Sequence, residues 1–247
     1  MKSFFIALQF LTILPIRIKG ELKEGDFGKA LTFFPVIGAL LGTFLFALAY
    51  YLRNSPPLFS AALILVIYTI LTGAIHLDGL ADTCDGFYAG KTKENILRIM
   101  RDSAIGTMGV IGIILILLLK FSLIASFPRV ADLGKALIVA LSFSRWSQAV
   151  ACLNSSYARQ DGKAKFFLKG ARKIDIALGG LFSLGLFILF FNWQGIFIFI
   201  LSLLITLLFI SYSKRRINGM TGDTIGALNE IMEVTVLSLA LIAFNYA

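Results

Sequence analysis

The chain has 247 residues, 58% of them hydrophobic, and a mean hydropathy of +0.86, far more apolar side chain than a soluble domain of this length needs for a core. Its 23 Lys and Arg against 14 Asp and Glu, a net charge of +9, would suggest nucleic acid in a soluble protein; here the basic residues sit between apolar runs, where they fix orientation and meet anionic lipid or phosphorylated substrate. Composition therefore indicates a multi-spanning membrane protein with no nucleic-acid partner, and Cys84 and Cys152, lacking metal-ligand or CxxC spacing, make no secreted disulfide framework.

Met1 to Arg17, MKSFFIALQFLTILPIR, has an apolar centre, but its ending at Leu14, Pro15 and Ile16 lacks the small residues of a signal-peptide cleavage site. It is short for a span and reads as an interfacial or re-entrant helix stopped near Pro15. Between Arg17 and Lys29, basic residues including Lys19 mix with Glu21, Glu24 and Asp26, which predicts a wet, cytoplasmic loop. Spans follow from about Ala30 to Tyr50 and from about Leu58 to Ile75, parted by the prolines of YLRNSPP. In the first, Pro35 can kink the helix, while Gly38 and Gly42 suit either close helix packing or a ligand.

His76 to Gly86, HLDGLADTCDG, closes the second run with three carboxylates. If the run stays helical, Asp78, Asp82 and Asp85 fall at i, i+4 and i+7 and share a face, about 5–6 Å apart per step. Such a row repels itself unless water, basic groups or divalent cations offset it, and Mg²⁺ suits it by taking carboxylate oxygen while keeping waters and substrate phosphate. The segment reads as a metal and phosphate site at a membrane surface; the blander reading is a self-capping loop whose Asp side chains bond nearby amides. His76, the single histidine, is either a general base or a structural support at the edge of the row.

Lys91 to Asp102 alternates charges with Ile96, Leu97, Ile99 and Met100, the pattern of an amphipathic surface helix that ends near Arg98 and Arg101. Spans are expected from about Ala104 to Ser126 and from about Ala136 to Leu153. Arg145 falls inside the latter and demands a partner acid, a polar cavity, a phosphate or an interface to snorkel to. The 154–175 connection is basic, with Arg159, Lys163, Lys165, Lys169, Arg172 and Lys173. Two more spans, about Ile176 to Phe191 and Ile196 to Tyr212, flank the turn NWQG. The last connection brings Lys214, Arg215, Arg216, Asn218 and Asp223 to a final span of about Ile225 to Phe244, with Glu230 and Glu233 in its first turns facing a protein interior or aqueous cavity.

With the N terminus inside, the four inner segments carry five, four, six and three Lys or Arg, against three outside. The acidic row, the basic 154–175 connection and the Asp223 loop thus share the cytoplasmic face. A transporter would thread charges along a path, commonly in two repeats. One-sided acids without internal duplication favour a phosphotransferase in which Mg²⁺ neutralises a diphosphate. The expected fold is an all-α integral membrane protein, one polytopic domain over residues 1–247 with about seven transmembrane helices plus the N-terminal interfacial or re-entrant helix. In its expected centre, Asp223 faces the acid row across a cavity whose deeper wall holds Glu230 and Glu233.

Five segments resemble the cobalamin synthase (adenosylcobinamide-GDP ribazoletransferase) family: FLTILP at 10–15, HLDGLADTCDG at 76–86, RIMRDSAIGTMG at 98–109, SRW at 144–146 and GMTGDTIGALNE at 219–230. The resemblance extends along essentially the whole chain. It implies a multi-pass enzyme of a bacterial-type cytoplasmic (inner) membrane, with N terminus and active site cytoplasmic. Its activity would transfer adenosylcobinamide phosphate from adenosylcobinamide-GDP to alpha-ribazole or its 5'-phosphate, with Mg²⁺, releasing GMP. By matching motif, Asp78, Asp82, Asp85, Asp102 and Asp223 become metal candidates; Glu230 joins them from its place on the deeper wall, and Asp82, Asp85 and His76 are the catalytic candidates. Arg98, Arg101, Arg145, Asn218, Lys214 and Arg215 become candidates for substrate binding. Assembly as a homo-oligomer or with other cobamide-biosynthesis enzymes is left open. A looser similarity to CDP-alcohol phosphotransferases breaks down in detail, since Asp82 stands where their pattern has Arg and Gly86 is not followed by their spaced acids.

Overall fold

The computed structural model describes residues 2–18, 22–162 and 164–245. Lys19 and Lys163, counted above among the basic residues, lie outside the described residues. The helices in chain order are α1 (Lys2–Leu11), α2 (Glu24–Ala30), α3 (Phe34–Tyr51), α4 (Pro57–Thr72), α5 (Ile75–Ala89), α6 (Lys93–Ile99), α7 (Thr107–Ser126), α8 (Val130–Asn154), α9 (Ala164–Gly170), α10 (Lys173–Ile217) and α11 (Gly222–Asn245). Among the described residues, five helices, with Glu24–Tyr51 taken as one, are long and apolar enough to cross a membrane, and a sixth arises if α4 and α5 are paired.

The wet loop expected up to Lys29 is helical from Glu24. Asp26 accepts the backbone N–H of Lys23 at 3.0 Å and closes the first turn. A 3-10 turn at Leu31–Phe33 leads into α3, and Pro35 stands in the first turn of α3, where its missing N–H breaks no helical bond, so it initiates rather than kinks.

α8 is the axis of the bundle. Apart from Lys135, every residue from Asp132 to Cys152 is buried. α3 lies against it through Gly42, where a Cβ would stand 2.6 Å from the Cα of Ile138, and through Gly38, which meets the backbone of Leu141. These glycines therefore serve helix packing, and the ligand reading falls away.

α10 reverses direction within its length. Asn192 has φ 51 and ψ −135. Phe187 and Phe199 would be about 18 Å apart along a straight helix, yet their ring centroids are 5.6 Å apart and both rings pack on Phe143 of α8. The chain doubles back at the NWQG turn. Trp146 clamps both limbs, donating from Nε1 to the Ile176 carbonyl at 2.8 Å and stacking on Phe199 at 5.0 Å between centroids.

Between α4 and α5, Gly73 (φ 61) and Ala74 (φ 54) are both left-handed, and the axis bends by 88°. Glycine takes this conformation freely and alanine does not, so the second residue holds it only because the surrounding packing demands the corner. α4 supplies the apolar length and α5 carries the acids.

Candidate active site

Because residues 75–89 are helical, Asp78, Asp82 and Asp85 share one face of α5, as their spacing predicts. α5 crosses the start of α11 at two glycines. A Cβ on Gly79 would lie 2.7 Å from the Asp223 carbonyl oxygen, and one on Gly226 would lie 3.3 Å from the Cα of His76. Bare backbone permits this approach and brings Asp223 to Asp78 and Asp82. Burial, followed by the charges of Asp223 and Asp78, pushes the Asp82 carboxyl up to about 7 against the opposing pull of Arg159. The acids form a mutually repelling set of the kind a hard cation relieves.

Residues 156–158 zip onto the turn before α11. The Met220 N–H donates to the Ser156 carbonyl and the Ala158 N–H to the Met220 carbonyl, each at 2.9 Å, around the Tyr157–Met220 bridge. This pairing delivers Arg159 to Asp223, with Nη2 2.6 Å from Oδ2, and the same nitrogen lies 3.2 Å from the Met100 carbonyl. Here a cavity of about 230 Å³ opens, its wall including His76, Asp78, Gln148, Tyr157, Arg159 and Asp223. The sequence marks Arg159 only as part of a basic connection and carries no signal for Gln148 or Tyr157. His76 is buried, its Nε2 2.9 Å from Nε2 of Gln148 on α8.

Asp85 is not on that wall. Its Oδ2 accepts the Gly106 N–H at 2.7 Å and its Oδ1 the Gly109 N–H at 2.8 Å, so the carboxylate caps the N-terminus of α7. It also lines a second cavity, about 440 Å³, with Arg98 and Asp102. Arg98 donates to Asn95 at 2.8 Å, and Asp102 accepts the Ala104 N–H at 3.0 Å. Exposed Arg101 lies near Tyr157, where with Arg159 it opposes the burial that raises the Tyr157 phenol.

Arg145, Glu230 and Glu233 are not brought to either cavity. Glu233 pairs with Arg145, Lys120 and the Tyr68 hydroxyl, and Glu230 pairs with Lys120 at 2.6 Å, all buried where α4, α7, α8 and α11 meet. Asn229 adds a hydrogen bond to Glu233 at 2.8 Å. The free space beside this cluster is about 20 Å³. The deeper wall expected from Glu230 and Glu233 is therefore a closed ion-pair cluster: two cations face two carboxylates, and the acid that Arg145 demanded is Glu233.

Lys214 and Arg215 are exposed on the last turn of α10, and Asn218 ends that helix in a left-handed conformation (φ 56). None of the three lines the two cavities just described. Arg216 is instead held over the rings of Phe87 and Tyr212 and donates to the carbonyls of Phe87 and Gly90 at 2.5 and 2.9 Å, tying down the C-terminal end of α5.

Among the described residues, no three His, Cys, Asp or Glu stand close enough to hold a metal by themselves. Asp78, Asp82 and Asp223 are all-oxygen donors, however, and Mg²⁺ is usually held by one or two carboxylates with waters and substrate phosphate completing its shell. The donor set fits that ion.

The cobalamin-5-phosphate synthase family model matches residues 3–241. A protein of Geotalea daltonii named adenosylcobinamide-GDP ribazoletransferase is 37% identical over 246 residues, covering 99% of this chain and 98% of its own. Proteins of the same name are 39% identical over 249 residues in Pseudomonas aeruginosa strain UCBPP-PA14 and 35% identical over 243 residues in Clostridium botulinum strain 657. Each of these covers 98% of both chains. No solved structure matches the chain.

Proposed function

The chain belongs to the cobalamin-5-phosphate synthase family of transferases, and from that premise we propose that it joins adenosylcobinamide phosphate to alpha-ribazole or alpha-ribazole 5'-phosphate. The acceptor hydroxyl attacks the phosphorus nearest cobinamide in adenosylcobinamide-GDP, and GMP leaves. The observation that carries this reading is the meeting of Asp78, Asp223 and Arg159 on one cavity wall, with Asp82 beside them on the same face of α5: oxygen ligands beside a guanidinium match the needs of a diphosphate. Mg²⁺ held by one or two of Asp78, Asp82 and Asp223, with waters and substrate phosphate, would supply charge neutralisation of the diphosphate and its leaving group. The chain's own residues orient the rest. Arg159 reaches phosphate, His76 on the cavity wall meets the acceptor side, and Asp85 fixes the start of α7, which lines the second cavity together with Arg98 of α6. Transport is the poorer reading, because the charges deepest in the bundle neutralise one another.

The purified enzyme in lipid, given adenosylcobinamide-GDP, alpha-ribazole and Mg²⁺, is expected to form GMP and the cobamide product in equal amounts. A folded enzyme that forms neither refutes the activity.

We infer seven spans: α2 with α3, α4, α7, α8, the two limbs of α10 at 173–191 and 193–217, and α11. With the N terminus cytoplasmic, the acid row, the 154–175 connection and the Asp223 turn lie on the inner face of a bacterial cytoplasmic membrane. Single cysteines in the 154–175 connection and at 192–194 are expected to label from opposite sides of sealed vesicles. Labelling from the same side overturns this topology.

A further inference from the structure

Arg159 stands at the border of two cavities of opposite character. On one side is the cavity walled by Asp78 and Asp223; on the other is a cavity of about 480 Å³ walled in part by Lys165, Lys169 and Gln160. The Arg159 side chain is only 11% exposed, and its Nε has no hydrogen-bond partner. Its Nη2 is held by Asp223 at 2.6 Å and more loosely by the Met100 carbonyl at 3.2 Å. Asp223 in turn has little besides this guanidinium and the Thr221 hydroxyl, 3.3 Å away, to offset its charge.

A guanidinium in that position relieves the acids as a bound cation would, and both would use Oδ2 of Asp223. We propose that Arg159 is an exchangeable counter-ion, an inference that rests on the metal reading above. A divalent cation that takes Oδ2 of Asp223, with Asp78 or Asp82 and waters completing its shell, displaces the guanidinium from Asp223. The freed side chain turns to the adjoining cavity, where with Lys165 and Lys169 it takes a phosphate of the nucleotide-activated substrate. Cation binding thereby prepares the phosphate site, and the same side chain that competes with the cation supports the nucleotide.

The test uses full-length protein in detergent with Mn²⁺ and GDP as probes. Free Mn²⁺ is followed by its EPR signal, and GDP binding is measured by equilibrium dialysis at saturating Mn²⁺. Arg159→Gln is expected to bind Mn²⁺ about tenfold more tightly, since a buried acid loses its competing partner, and GDP about tenfold more weakly. Arg159→Lys should move both affinities back towards wild type, and Asp223→Asn should lose Mn²⁺. Opposite movement of two affinities is something general loosening of the fold cannot produce. Unchanged or weaker Mn²⁺ binding in Arg159→Gln, beside normal wild-type binding, overturns the exchange while leaving the metal site standing. Unchanged GDP binding overturns the phosphate half. Absence of Mn²⁺ binding in wild type overturns the metal reading and the exchange together.

Discussion

Asp82→Asn is expected to lower kcat by about 10²–10³-fold, the scale on which removing one charge-stabilising group from a reaction centre is felt, while leaving the protein folded. Asn has nearly the volume of Asp and keeps one acceptor oxygen, so packing on α5 survives. What disappears is the central charge of a set in which Asp78 and Asp223 already act on Asp82. Because the change also removes repulsion, thermal stability should hold or rise as turnover falls. Asp85→Asn should behave differently: its carboxylate caps α7 through Gly106 and Gly109, so it is expected to cost about 1 kcal/mol of stability as well. Turnover and thermal unfolding measured on the same preparations separate the two. An Asp82→Asn enzyme within about threefold of wild-type kcat, well short of the loss expected for such a group, would remove this residue from the reaction centre.

The second large effect is on folding. Glu233→Ala should destabilise the protein by about 3–5 kcal/mol, the cost of leaving a buried charge without its partner. Arg145 is fully buried and Glu233 is its acid; Lys120 would keep only Glu230. Replacing Arg145 and Glu233 together by Met should recover most of that loss, because apolar side chains of similar volume carry no desolvation penalty. Arg145→Gln is expected to melt early instead of selectively weakening nucleotide binding. Thermal unfolding in detergent checks all three, and a Glu233→Ala protein melting within about 2 °C of wild type would show that the cluster does not hold the bundle.

The apolar runs and their order were legible because a span must be continuously apolar over a fixed length, a constraint few other residues can hide. The reversal of α10 was legible in NWQG. The helix over Glu24–Ala30 was not, because mixed charges look like loop and its support is tertiary: Gly28 on α2 meets the backbone of Gly170 on α9. That Asp78 and Asp82 share a face of α5 followed from helical spacing, and the charge count placed Asp223 with them; Asp85, on the same face, turns instead to the start of α7. Depth along a span, by contrast, says nothing about direction around it. Glu230 and Glu233 therefore looked like cavity residues while their partner Lys120 was one lysine in an apolar run. Arg159 was hidden for a similar reason, since its link to Asp223 depends on the bridge between Tyr157 and Met220, distant in sequence.

The buried ion pairs also have a meaning in time. Synthesis delivers Lys120 with α7 and Arg145 with α8, long before the acids that neutralise them. Until α11 emerges, both cations face an unfinished bundle, which favours a nascent chain whose basic side chains still reach water or headgroups. α11 is itself penalised by its two glutamates and is drawn in by a socket that already holds their counterions. α11, made after both cations, is then the helix that locks them in place. Since Asp223 stands at its start, the same event brings Asp223 to Asp78 and Asp82.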